Sequence, residues 1–299
     1  MYRTLMPLYG DDDMCRILIL GASGMAGHMI AYRLISSGFL VFTAARHLLP
    51  EPLAERYLAF DAEKEEDLPW LLATTKPDIV VNCIGVLVNQ SAAYPIRAIR
   101  MNALLPRRIA SICSEYGSKA IHISTDCVFS GKRGDYSEND FRDGDDIYAR
   151  SKALGELDDN RNLTIRTSII GPELKTDGVG LFNWFMRQQA YIKGYTNHFW
   201  AGVTTLELAK CIEYLIYSPT VGLVNLTNNY KISKYELLCK IGSIWDRENI
   251  SIEPFSTTQR VDKSIVSTRS DFNYHVPSYD KMLLDLRDFM LYSPFNYKY

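Results

Sequence analysis

Hydrophobic and polar positions along the chain fall into two alternating kinds of segment. Short apolar runs recur at Ile17-Leu-Ile-Leu20, Phe39 to Thr43, Tyr57 to Phe60, Asp78 to Asn82, Lys119 to Ser124, Asn162 to Ile170 and Gly222 to Thr227. Between them lie stretches of helical periodicity: His28 to about Ser36, Glu63 to Thr75, about Tyr94 to Tyr116, Thr204 to Tyr217, and a helix opened by Ser233-Lys-Tyr-Glu236 that runs to about Trp245. The last carries a serine followed three residues later by a glutamate, the signature of a capping box. Continuous apolar strands alternating with helices predict an α/β fold, a doubly wound parallel sheet buried on both faces by crossover helices. The pattern assigns residues 14–170 to the sheet domain, with 222–227 returning as a late strand, and 171–299 mainly to a smaller C-terminal lobe that closes over the carboxyl edge of the sheet. Residues 1–13 read as a loose N-terminal extension. Segment 181–200 is crowded with aromatics and shows little strand alternation.

Composition narrows the partners. The 299 residues are 47% hydrophobic and 23% charged, proportions of an ordinary soluble globular protein. A net charge of −2 gives no electrostatic reason to expect nucleic acid or an anionic membrane surface as a partner. Six scattered cysteines lack the close spacing of a zinc site or the density of a disulfide scaffold, so no metal is expected and the thiols read as reduced, in a cytoplasmic protein.

Directly after the first strand stands Gly21-Ala-Ser-Gly24-Met-Ala-Gly27, which opens the first helix. Gly21 permits a tight turn, Gly24 a close approach to a pyrophosphate, and Gly27 close packing of helix on strand, while the helix's first N–H groups hold the phosphates. Ser23 and Met25 belong to the same turn, and Asn82, Cys83, Ile84 and Gly85, at the carboxyl end of a buried strand, border the nicotinamide ribose and phosphates, with Val86 at the substrate side. The loop after the second strand carries Arg46 and His47 and no acid, which favours the 2′-phosphate of NADP, with NAD as the other possibility. Asp61 ends the third strand, at a position where reductases that this chain resembles often contact the adenine.

The chemistry-bearing group is Ser124-Thr125-Asp126 followed by Tyr148-Ala-Arg-Ser-Lys152. Tyr and Lys four apart share a helix face, and a cation beside a phenol favours its ionised form. Tyr148 is therefore the expected proton donor to a carbonyl, Thr125 the group that holds the substrate oxygen, and Lys152 the ligand of the nicotinamide ribose.

These motifs, with His122-Ile-Ser-Thr-Asp-Cys-Val-Phe-Ser-Gly131, Gly155-Glu156 and Arg166-Thr-Ser, resemble extended short-chain dehydrogenases/reductases of the dTDP-4-dehydrorhamnose reductase type over nearly the whole chain after Met14. The resemblance implies a Rossmann fold and reduction of a 4-keto-6-deoxy nucleotide sugar by NAD(P)H in polysaccharide biosynthesis, with Thr125, Tyr148 and Lys152 as the triad. Segment 181–200 does not match that family residue by residue, which leaves the sugar and the base open, a UDP-sugar included. Alternatives are a 4-epimerase, a 4,6-dehydratase, or a non-catalytic regulatory subunit such as the β subunit of methionine adenosyltransferase. Asp126-Cys127 offers only one of the two acids expected of a dehydratase. In the lobe, Trp184 and Trp200 are expected to present faces to a base or sugar, Asp126 to meet the substrate, and Arg260 or Arg269 to meet its diphosphate, Lys263 being a weaker candidate. A homodimer is the expected assembly.

Overall fold

The computed structural model describes residues 14–299, so the expectation for 1–13 lies outside the described residues. Seven parallel strands form the central sheet: β1 (Arg16–Leu20), β2 (Leu40–Ala45), β3 (Tyr57–Ala59), β4 (Ile79–Asn82), β5 (Lys119–Thr125), β6 (Leu163–Thr167) and β7 (Gly222–Asn225), in the order β7-β6-β5-β4-β1-β2-β3. Successive residues of β1 face opposite sides, Ile17 and Ile19 into one core cluster and Leu18 and Leu20 into the other. That is why the strand is apolar without interruption. One core joins the sheet to helices Met25–Ser36 and Thr205–Ile216, and the other to Leu68–Thr75 and Leu105–Glu115. The strand order reverses between β1 and β4, so a crevice opens at their carboxyl ends.

The expected helix from Tyr94 to Tyr116 is a composite: Pro95–Ile99, a π-helical turn at Arg100–Leu104, then Leu105–Glu115. Buried Asn102 sits in that turn, bonding the Val86 N–H at 2.8 Å and the Val86 carbonyl at 3.0 Å, and so it holds the chain beyond β4.

Beyond β6 the architecture is built from short pairings between distant segments. Tyr191–Tyr195 pairs in parallel with Ser251–Phe255, while His198–Trp200 lies between Ile232–Ser233 and Val261–Asp262. The hydropathy pattern predicts no strand in 181–200. Tyr191–Tyr195 does alternate exposed and buried, but its exposed positions are Tyr, Lys and Tyr and one buried position is Gly194, so alternation of burial leaves no alternation of hydropathy. A final helix, Tyr279–Tyr292, capped by the Ser278 hydroxyl, packs on this half.

Candidate active site

The glycine turn is built as its residues require. Gly21 has φ of +78°, a backbone that side-chain-bearing residues rarely adopt, and a Cβ there would lie 2.9 Å from Ile84 Cγ1. At Gly27 a Cβ would overlap the Gly21 carbonyl, so the helix packs on the turn only without one. Gly24 caps helix Met25–Ser36 with no side-chain hydrogen bond and no acid in the first turn. The leading N–H groups therefore face the crevice without a competing carboxylate. A cleft of about 170 Å³ lies beside them, lined by Gly21, Ser23, Gly24, Arg46, Asp61, Cys83, Ile84, Gly85 and Val86 among others. Met25 points elsewhere, its Cε methyl lying against Gly180. Arg97, which the sequence reading passed over, also lines the cleft and pairs with Glu63 at 2.7 Å.

Asn82 corrects the expectation of a cofactor contact. It is buried, its Oδ1 accepts the Ile84 N–H at 3.0 Å, and its Nδ2 lies 3.1 Å from His122 Nδ1. Ser124 is likewise internal: its hydroxyl donates to Glu156 at 2.8 Å. Glu156 also takes two bonds from fully buried Arg166, at 2.8 and 2.7 Å, and one from Arg142 at 2.9 Å. Burial pushes the Glu156 carboxyl up, but these cations and bonds hold it below its ordinary value. Arg166 reaches on to Asn225 at 3.2 Å, so this ion cluster ties β5, β6 and β7 together beneath the reactive edge.

At that edge stand Thr125, Tyr148 and Lys152. Asp146 caps helix Ile147–Gly155 through the Ala149 N–H at 2.7 Å, which sets the start of the helix that carries the tyrosine and lysine. The Thr125 hydroxyl accepts from the Cys127 N–H at 3.1 Å and donates to Asp126 at 3.2 Å, so it must leave Asp126 to donate to a substrate oxygen. Lys152 is buried and donates to the Ile123 carbonyl at 2.7 Å, with His122 Nε2 at 3.3 Å from its Nζ. The expected effect of Lys152 on the phenol is absent from this arrangement. Burial raises the Tyr148 pKa, nearby Cys127 and Asp126 push it the same way, and the Thr125 hydroxyl opposes them. The reason is that Lys152 Nζ is turned onto the Ile123 carbonyl instead of the phenol.

The expected lobe residues separate. Trp184, 40% exposed, lines a cavity of about 520 Å³ with Tyr191, Lys193, Tyr195 and Lys234. Trp200 is 7% exposed and packs in the core against Tyr279, with ring centroids 5.6 Å apart, so it presents no face to a ligand. Arg269 bonds the carbonyls of Val221 and Leu223 and pairs with Asp271, at the amino end of β7. Its role there is to hold the strand's start, at the sheet edge opposite the triad. Arg260 is exposed, lies over Phe199 and pairs with Asp262 at 2.6 Å. The cations that do act on the reactive edge are Lys263 and Lys234. Burial raises the Asp126 carboxyl, and both lysines oppose it. Lys234 also lines the cavity.

Sequence reasoning missed Lys234, Lys193 and His122 as site residues. For His122 a signal existed, because an imidazole between isoleucines on a strand buried on both faces needs a polar partner. For the lysines none existed, since surface and cavity lysines look alike in sequence. Among the described residues no helix is long and apolar enough to cross a membrane, and no cluster of three or more His, Cys, Asp or Glu could hold a metal.

Comparison with known proteins gives a match of residues 15–275 to the family described as RmlD substrate binding domain. A dTDP-4-dehydrorhamnose reductase from Aggregatibacter actinomycetemcomitans is 30% identical over 145 residues, 48% of this chain and 46% of that protein. The spore coat polysaccharide biosynthesis protein SpsK from Bacillus subtilis is 25% identical over 234 residues, 76% of this chain and 78% of that protein. Several reductases of the group thus match over less than half of their own length. Among solved structures, a dTDP-4-dehydrorhamnose reductase from Bacillus anthracis in complex with NADP superposes with a TM-score of 0.78 at 22% identity, covering 92% of this chain and 99% of that one. A UDP-glucose 4-epimerase from Thermotoga maritima with UDP-glucose gives 0.76 at 15% identity, covering 92% and 98%. Likenesses at these identities speak to the fold.

Proposed function

The chain belongs to the RmlD substrate binding domain family, and from that premise we propose that it is an NADPH-dependent reductase of a 4-keto-6-deoxy nucleotide sugar. The observation that carries the reading is the placement of Thr125 at the carboxyl end of β5, with Lys152 donating to the Ile123 carbonyl of that strand and Tyr148 one turn earlier on the same helix, in a fold whose glycine turn walls a cleft. The cleft fits a dinucleotide, because the turn at Gly21 admits no side chain and the helix N-terminus behind it is uncapped by any side chain. When bound, NADPH supplies the hydride. Tyr148 gives its phenolic proton to the carbonyl oxygen as charge develops there, and Thr125 donates a hydrogen bond to the same oxygen. Lys152, swung off the Ile123 carbonyl, holds the nicotinamide ribose and stabilises the phenolate that Tyr148 becomes. Arg46, exposed at the end of β2 on the wall of the cleft, meets a 2′-phosphate. Trp184, Lys193 and Lys234 meet the base and diphosphate of the substrate, in place of the Arg260 and Arg269 expected from sequence.

The test is consumption of NADPH by the purified protein with a dTDP- or UDP-linked 4-keto-6-deoxy sugar. Stoichiometric NADPH oxidation is expected, and Tyr148→Phe should lower kcat by ~10²-fold or more with cofactor affinity unchanged. Interconversion of 4-hydroxy epimers without net NADPH consumption would establish the epimerase reading instead. Binding of the dinucleotide with no turnover of any such sugar would establish the regulatory one.

A further inference from the structure

Among the buried polar groups at the site, His122 has no part in the reaction as derived above, yet it touches the one lysine that does. Its two ring nitrogens are both occupied: Nδ1 lies 3.1 Å from Asn82 Nδ2, and Nε2 lies 3.3 Å from Lys152 Nζ. The orientation of Asn82 is settled by its other bond. The Ile84 backbone N–H can only donate, so the Asn82 atom 3.0 Å from it is the carbonyl oxygen, and the amide NH2 therefore faces the imidazole. Nδ1 must then accept, which leaves the proton of neutral His122 on Nε2. That N–H points at Lys152. An ammonium has three donors and no acceptor, so a protonated Lys152 at this position would set donor against donor, whereas a neutral amine can accept from Nε2–H while donating to the Ile123 carbonyl.

We propose that His122 is a positioning residue that couples the protonation of Lys152 to its location. The neutral amine rests between the His122 N–H and the Ile123 carbonyl, and uptake of a proton from solvent repels the amine from His122 and frees it for the phenol and the ribose. The titratable groups facing Lys152 are His122 from β5, Cys83 beyond β4, and Glu156, the residue that ends its own helix. Burial lowers Lys152 from its ordinary value to about 8, while Glu156 and Cys83 pull the other way. Burial, and then the lysine's charge, also hold His122 well below its ordinary value, so the imidazole stays neutral and one tautomer suffices across the working range. This device serves the reductase reading, in which Lys152 must act as a cation.

Two measurements test it. In the wild-type protein, long-range proton–nitrogen correlation spectra of labelled histidine should show His122 as the neutral Nε2–H tautomer at pH 7. A Nδ1–H tautomer or an imidazolium would overturn the proposal, whatever the protein catalyses. The second uses His122→Gln, whose side-chain oxygen can accept from the ammonium. The alkaline limb of the kcat/KM profile, set by loss of the Lys152 proton, should move up by about one pH unit, and Asn82→Asp, which would draw the imidazole proton to Nδ1, should move it the same way. Limbs unmoved in both folded variants would overturn the proposal. If the spectra agree but no sugar is turned over, the tautomer stands and the reductase reading fails, with the Lys152 pKa then read directly from carbon-labelled lysine spectra in wild type and His122→Gln.

Discussion

The glycine-walled cleft and the lysine-bearing cavity are made in different ways. The cleft is walled mainly by strand ends and the turns that directly follow them, the turn at 21–24, the end of β2, the end of β3 and the strand exit at 83–86, with Arg97 and Met101 beside them. The cavity is walled by two segments remote in sequence, 181–195 and the helix that carries Lys234 and Leu238, held in place by the parallel pairing of Tyr191–Tyr195 with Ser251–Phe255. A wall that follows directly from a strand end depends on local rules, and one assembled from remote segments depends on packing. The first half should therefore tolerate loss of cleft side chains but not of the buried groups that fix the strands. The second should lose substrate affinity one lysine at a time.

The largest expected effect tests what fixes the strands. Glu156→Ala leaves the fully buried Arg166 without its carboxylate, and removing one partner of a buried pair costs about 3–5 kcal/mol. Urea unfolding should show a midpoint lowered accordingly, whereas an unchanged midpoint would mean that the ion cluster does not hold β5, β6 and β7. The pH dependence has a matching sign. Because the folded-state carboxyl is held below its ordinary value, the cluster's contribution is present at neutral pH and is lost as pH falls through that lowered value.

Lys234→Ala comes next. Removal of one cation from the cavity should raise the substrate KM by about 10-fold, with NADPH affinity unchanged. Its control is Arg269→Ala, at the far end of β7, for which wild-type KM is expected. If Arg269→Ala raised KM and Lys234→Ala did not, the assignment of the cavity would be reversed.

Arg46→Ala should show the smallest change, because Arg46 is exposed and solvent screens its charge. NADPH binding should weaken by about 3–10-fold with NADH binding unchanged, measured by fluorescence titration. Equal loss for both dinucleotides would remove the 2′-phosphate from its role.

Tyr148 and Lys152 were legible in the sequence because four residues on a helix fix a shared face. Where Lys152 places its Nζ was not, since the Ile123 carbonyl and the His122 ring that meet it come from a different strand. Ser124 and Asn82 read as ligand contacts by their position at strand ends, yet each side chain is committed inward, to Glu156 and to His122. Trp200 and Arg269 read as cleft residues by composition, and packing put one in the core and the other at the opposite sheet edge.

The sequence by itself determined the parallel sheet, the glycine turn and the order of the triad, because each follows from interactions within a few residues: apolar runs too short for helices, a backbone open only to glycine, and helix periodicity. Tertiary structure alone decided which cations reach the reactive edge and which tautomer His122 adopts. Those outcomes depend on hydrogen bonds and charges between residues 30 or more positions apart, such as Lys152 with His122 and Asn82 with His122. Nothing in the spacing of a sequence specifies which of several buried donors and acceptors will meet.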